Sequence, residues 1–347
     1  MRLALNYELR LSADMKFTSL TDLSLERIKI PPGDLHLLAR LVSTESCPRL
    51  QKLRMVHVCL QVFHHEEMWL QETTDVLPDA VEDDANVRSL ELRTPGLQAL
   101  HILSCNPEVM LCVSVPRLEE LALPFEIGYT RCVKVDGDLT HVRSLKICLW
   151  SYYPRVVLSR AKAVNDASKR HIKLCTSVTC LDVTLCGRKI SKDDQQVEIL
   201  KSMIPHLPCV TSLTVNVSPP VGRRDFGASV ATLLTRFRNL RCLSKHLPFY
   251  LMGLKQDECH HPDHWISNEI SMSHLQEVEF TGLTGTDCEL WLMKAMLTSA
   301  KKLHKVDISF HPDFCQNKGK IDAFEHMLHG EGMWTSHRDT LKLIVFR

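Results

Sequence analysis

Val178-Thr179-Cys180-Leu181-Asp182-Val183 and Val210-Thr211-Ser212-Leu213-Thr214-Val215 spell the same phrase twice. Both read L-x-x-L-x-L with aliphatic substitutions, and the alternating apolar residues at the end belong on one face of a strand. Working outward, the phrase recurs upstream at Leu20-Leu23-Leu25, Leu50-Leu53-Met55, Val87-Leu90-Leu92, Leu97-Leu100-Ile102, Leu118-Leu121-Leu123 and Val142-Leu145-Ile147. Downstream it returns at Leu275-Val278-Phe280, Leu303-Val306-Ile308 and Leu341-Ile344-Phe346. Leu240 and Leu243 keep the first two places, but Lys245 stands in the third. The starts fall mostly about 21 to 37 residues apart, an irregular period of roughly 30. One such strand cannot bury its apolar face alone, whereas a stack can.

The segments between the phrases carry helical spacing. Leu35, Leu38, Leu41 and Val42 form one stripe, Val197, Leu200, Met203 and Ile204 a second, and Val230, Leu233, Leu234 and Phe237 a third. Thr286 and Glu289 read as a capping box that opens a helix carrying Leu290, Met293, Met296 and Leu297. The expected fold class is therefore α/β: a leucine-rich-repeat solenoid, a horseshoe of irregular repeats of about 30 residues with its strands on the concave face. The stretch from Glu72 to Asn86, with Pro78 and Glu82-Asp83-Asp84, reads as a solvated loop. Leu247 to Ser273 holds Pro248, Pro262 and several histidines, with no match to the phrase. The expected organisation is a repeat region over 1–246, an irregular connecting loop over 247–273 and C-terminal repeats over 274–347.

From His274 the chain runs His-Leu-Gln-Glu-Val-Glu-Phe-Thr-Gly-Leu-Thr-Gly-Thr-Asp-Cys-Glu-Leu-Trp-Leu, with Leu297, Ala300, Leu303 and Ile308 further on. This resembles the FBD domain that closes many plant F-box proteins with leucine-rich repeats. Cys47-Pro48-Arg49-Leu50-Gln51-Lys52-Leu53 is similar to the C-P-x-L-x-x-L opening of that family's repeats. The resemblance implies a substrate-recognition arm of the kind that serves a ubiquitin ligase of the SCF type. Leu20, Leu23 and Leu25 already form a repeat, so no F-box is recognisable and docking onto Skp1 is not expected. A plant immune-receptor repeat region is the alternative within binding proteins.

Composition narrows the chemistry. Among 347 residues, 42 Lys and Arg balance 41 Asp and Glu for a formal charge of +1. No global field draws the protein to nucleic acid or to an anionic membrane, and neither is expected as a partner. No run approaches the ~18 apolar residues of a membrane span. The 14 cysteines include no C-x-x-C pair and follow no secretory leader, so they are read as reduced side chains in a cytoplasmic or nuclear protein. Gly-rich phosphate loops and nucleophile elbows are absent. His65-Glu66-Glu67-Met68-Trp69 begins like a zincin helix but has Trp69 where the second ligand belongs. Cys259, His260, His261 and His264 offer four zinc donors within six residues, too tightly spaced around Pro262 to converge tetrahedrally. A zinc enzyme built on 259–264 is thus the alternative from a different class. The expectation is a non-catalytic protein without a cofactor.

Within each phrase the residue between the two later apolar positions faces away from the core. That rule puts Arg54, Glu91, His101, Lys146, Asp182, Thr214, Glu279 and Asp307 in one outward row, the expected contact surface for a protein partner.

Overall fold

The computed structural model describes residues 2–4, 14–31, 34–60, 89–103, 110–123, 133–150, 158–186, 207–217, 230–246 except 232, 270–283, 287–310 and 341–344, with a few single positions besides. The chain divides into two compact units, Met1–Val142 and Arg143–Arg347.

In the first unit the strands are β1 (Arg2–Ala4), β2 (Asp22–Glu26), β3 (Lys29–Ile30), β4 (Lys52–Val56), β5 (Cys59–Leu60), β6 (Ser89–Arg93), β7 (Ala99–Ile102), β8 (Met110–Ser114), β9 (Glu120–Ala122) and β10 (Val133–Asp136). They assemble as β1-β2-β4-β7-β9, as β10-β8-β6 and as the pair β3-β5, every neighbour parallel. From β6 to β10, consecutive strands alternate between the two larger groups. Among the described residues of this unit one α-helix, α1 (Leu35–Leu41), carries the first expected stripe and buries Leu38 and Leu41.

In the second unit β11 (Ser144–Trp150), β12 (Cys180–Cys186), β13 (Ser212–Val217), β14 (Cys242–His246), β15 (Glu277–Leu283), β16 (Lys305–Phe310) and β17 (Leu341–Ile344) lie side by side in chain order, all parallel. Helix α2 (Leu158–Leu174) follows β11, and α3 (Asp287–Ser299) follows β15. The α3 helix starts directly after Thr286, which itself lies outside the described residues, and Leu292, Met293, Met296 and Leu297 are buried. Of the second stripe only Ile204 is described, and it is buried; the third stripe, Val230, Leu233, Leu234 and Phe237, is buried throughout.

The three-residue gap opening the phrase has a structural cause. The N–H of the first apolar residue closes a turn onto the carbonyl three residues back: Leu50 onto Cys47 (3.1 Å), Leu97 onto Thr94 (3.1 Å), Val210 onto Leu207 (3.3 Å) and Leu275 onto Met272 (3.1 Å). The next residue then offers its carbonyl to two N–H groups of the neighbouring strand. Thr179 O accepts from Thr211 and Ser212, Thr211 O from Arg241 and Cys242, and Arg241 O from Gln276 and Glu277. Only after this clamp does the period of two begin. Leu181, Leu213, Leu243, Val278 and Val306 then sit in register as one buried row. Each such side chain contributes about 1.5–3 kcal/mol by leaving water.

The phrases therefore fall on strands, but the assembly departs from expectation. The leucine-rich-repeat horseshoe with strands on a concave face is corrected to an α/β arrangement of parallel sheet with few helices. The deciding finding is the separate three-stranded sheet β10-β8-β6, which removes the phrase at Val87-Leu90-Leu92 from the main series. L-x-x-L-x-L specifies which face is buried; it says nothing about which strand becomes the neighbour.

Candidate functional site

The eight outward residues do not share one row. Lys146, Asp182, Thr214, Glu279 and Asp307 occupy one register line of the second unit, with Ser244 between Thr214 and Glu279. Arg54 and His101 are register partners on β4 and β7 of the first unit. Glu91 stands apart on β6, beside Cys112 of β8, and bonds Arg93 at 2.9 Å. Cys259, His260, His261 and His264 lie outside the described residues. Among the described residues no three His, Cys, Asp or Glu side chains gather as metal ligands would.

Ser244 escapes sequence reasoning because Lys245 hides the end of its phrase. Leu240 and Leu243 alone fix the register, so the signal was present. Lys245 replaces an aliphatic residue on the buried side, in register with Val215 and Phe280, and is only 2% exposed. Burial drives its ammonium down to a pKa of about 8, against the opposing pull of the Glu289 carboxylate. Glu289 is itself 9% exposed, in the first turn of α3. The capping-box residue of the sequence is thus the counter-charge of a buried lysine.

The outward line of the second unit is a hydrogen-bonded polar ladder. Lys146 Nζ donates to Asp182 Oδ2 at 2.8 Å, and Asn216 Nδ2 donates to the other oxygen of the same carboxylate. Ser244 Oγ donates to Glu279 Oε2 at 3.2 Å. His246 Nδ1 meets Thr281 Oγ1 at 2.8 Å, and that hydroxyl donates to the Lys245 carbonyl at 3.3 Å. Lys305 Nζ lies 3.4 Å from Asp307 and 3.7 Å from Glu277; Asp307 foremost holds the ammonium above its usual pKa. The side chains of this line are partly exposed, so they reach solvent while held in place.

In the first unit Arg54 Nε lies 3.9 Å from Glu26 and His101 Nε2 lies 3.3 Å from Glu120. Burial lowers the His101 pKa, opposed by that carboxylate. Both pairs are partly exposed and partly screened, with Glu26 the most covered of the four side chains at 14%.

Fold and surface together define a parallel-sheet α/β protein whose second unit presents a pre-ordered polar sheet face. No protein-family model matches the chain, and no curated protein matches it. Among the described residues no helix is long and apolar enough to cross a membrane.

Proposed function

We propose that the protein is a non-catalytic recognition module that binds a protein partner on the outward face of β11–β16, in the cytoplasm or nucleus. The observation that carries this reading is the ladder from Lys146 to Asp307. Parallel sheets ordinarily have both faces covered by packed elements. Here one face is polar and partly open, and its side chains are fixed by one another. Fixed polar groups lose little entropy on binding, which favours recognition. The likeness of 274–308 to an FBD domain supports a substrate-selecting role of the kind found in F-box adaptors.

The test is recovery of bound proteins with the wild type and with Thr214→Arg, which sets a long cation in the middle of the line without touching the core. Proteins retained by the wild type and lost by a variant with an unchanged melting temperature support the reading. Equal recovery by both would place recognition elsewhere.

A further inference from the structure

We propose that the partner engages β15 and β16 through a basic segment, with an arginine or lysine seated against Glu279 and Asp307. The inference rests on the recognition reading above and names its partner's chemistry. Charge along the line is unevenly compensated. At β11–β12 the Lys146 ammonium meets the Asp182 carboxylate directly, and Asn216 completes that carboxylate's hydrogen bonding. At β15–β16 three carboxylates, Glu277, Glu279 and Asp307, share a single ammonium, Lys305, which reaches only two of them. Lys305 lies near Glu277 and Asp307, while Glu279, among the described residues, receives only the Ser244 hydroxyl.

Glu279 and Asp307 are also register partners on adjacent parallel strands, whose backbones run about 4.8 Å apart. Like charges placed opposite one another in a sheet are destabilising. The free protein thus holds two carboxylates side by side with a shortage of cations. A second and independent feature lies two residues along β16 on the same face. Ser309 is 5% exposed, and its hydroxyl has no hydrogen-bond partner among the described residues. A buried hydroxyl left unsatisfied is costly. A guanidinium suits the place best, since its flat fork can bridge two carboxylates. A nucleic-acid backbone has the wrong sign.

The probe is a fluorescein-labelled peptide of alternating arginine and serine, which puts every second residue on one side when extended; the matching glutamate–serine peptide is the control. The full-length protein is titrated by anisotropy at low salt. Binding of the arginine peptide should weaken at least about ten-fold in Glu279→Gln/Asp307→Asn and stay unchanged in Glu45→Gln, an exposed acid of the first unit. Equal peptide affinity for the double variant and the wild type would overturn the proposal, as would equal binding of the glutamate peptide. A dimer that dissolves in the double variant would make a second copy the occupant and would overturn the basic segment as well. Failure here is separable from failure of the recognition reading. Partners lost with Thr214→Arg but kept by Glu279→Gln/Asp307→Asn leave the face standing and remove the basic segment.

Discussion

The two units write their strands with the same phrase and back them differently. In the first unit the link from β7 to β9 covers residues 103–119 and contains β8, a strand of the second sheet. In the second unit the links run over 151–179 and 284–304, and they contain α2 and α3. Neighbouring parallel strands need a crossover of a dozen or more residues, usually helical. Length alone does not decide the layer: the 57–98 link from β4 to β7 is longer than either of these helical links and still contributes the strand β6.

The sharpest way to break this contrast is through the charge pair that only the helical link brings in. Glu289 arrives on α3 and meets Lys245 from the middle of β14. Removing one partner of a buried pair leaves an uncompensated charge, so Glu289→Ala should cost about 3–5 kcal/mol in chemical denaturation. Restoring the phrase with Lys245→Met together with Glu289→Leu should return stability to within about 1 kcal/mol of the wild type, or above it. A Glu289→Ala protein as stable as the wild type would mean that α3 is not held through this contact.

Strand-backed packing makes its own demand, at Gly137. The residue follows β10 with φ of +143°, and a Cβ built there would collide with the Val115 carbonyl beyond β8. Gly137→Ala should therefore cost about 1–3 kcal/mol in backbone strain, with the clash added. Gly96 in the same unit is the control, because its Cβ would meet only the Leu50 oxygen at an ordinary 3.4 Å. Gly96→Ala should shift stability by less than about 1 kcal/mol. Equal melting of the two variants would show that the β8–β10 approach is looser than described.

How much of this was legible follows from what periodicity can carry. Strands were readable because Leu53 and Met55, or Leu213 and Val215, alternate with polar residues, and alternation is a direct consequence of the pleat. Partition into two sheets was not, since it depends on pairing choices among chemically similar strands. The α2 helix escaped for another reason: its buried face carries Asn165, Ser168 and His171 beside Val164 and Ile172, so no apolar stripe marks it. Among the site residues, Lys146, Asp182, Thr214, Glu279 and Asp307 could be aligned from the phrase alone. Glu91 could not be told apart from them, because its local sequence is equally regular.

That polar helix face gives a smaller test. Asn165 Oδ1 accepts from the Trp150 N–H at 2.8 Å, and its Nδ2 donates to the Trp150 carbonyl at 2.9 Å. Ser168 Oγ donates to the Cys148 carbonyl at 2.8 Å. Asn165 thus serves the end of β11 as the peptide of an adjacent strand would. Asn165→Leu keeps the volume and strands both backbone groups, at an expected cost of about 1–3 kcal/mol. Hydrogen exchange at Trp150 should quicken in the variant. Unchanged protection there would show that the amide is not what closes the strand end.

The smallest effect expected is a pH dependence seated chiefly in α2. His171 is buried, its Nδ1–H donates to the Ala167 carbonyl at 2.7 Å, and Nε2 has no partner among the described residues. Protonation would create a second N–H with nothing to receive it, inside the core. Burial accordingly lowers the His171 pKa below the ordinary 6.5, Arg170 adding to the shift and the Ala167 carbonyl opposing it. Below pH 6.5 the unfolded chain takes up a proton that the folded protein refuses. Stability linked to His171 is therefore complete above pH 6.5, declines as pH falls toward the lowered folded value, and changes no further below it. His171→Leu should flatten the acid side of the stability profile, measured by urea denaturation between about pH 7 and 5. His101→Gln, which alters a partly exposed histidine of the first unit, should leave most of that slope in place. A profile that keeps its full slope in His171→Leu would move the acid sensitivity out of the helix-backed unit.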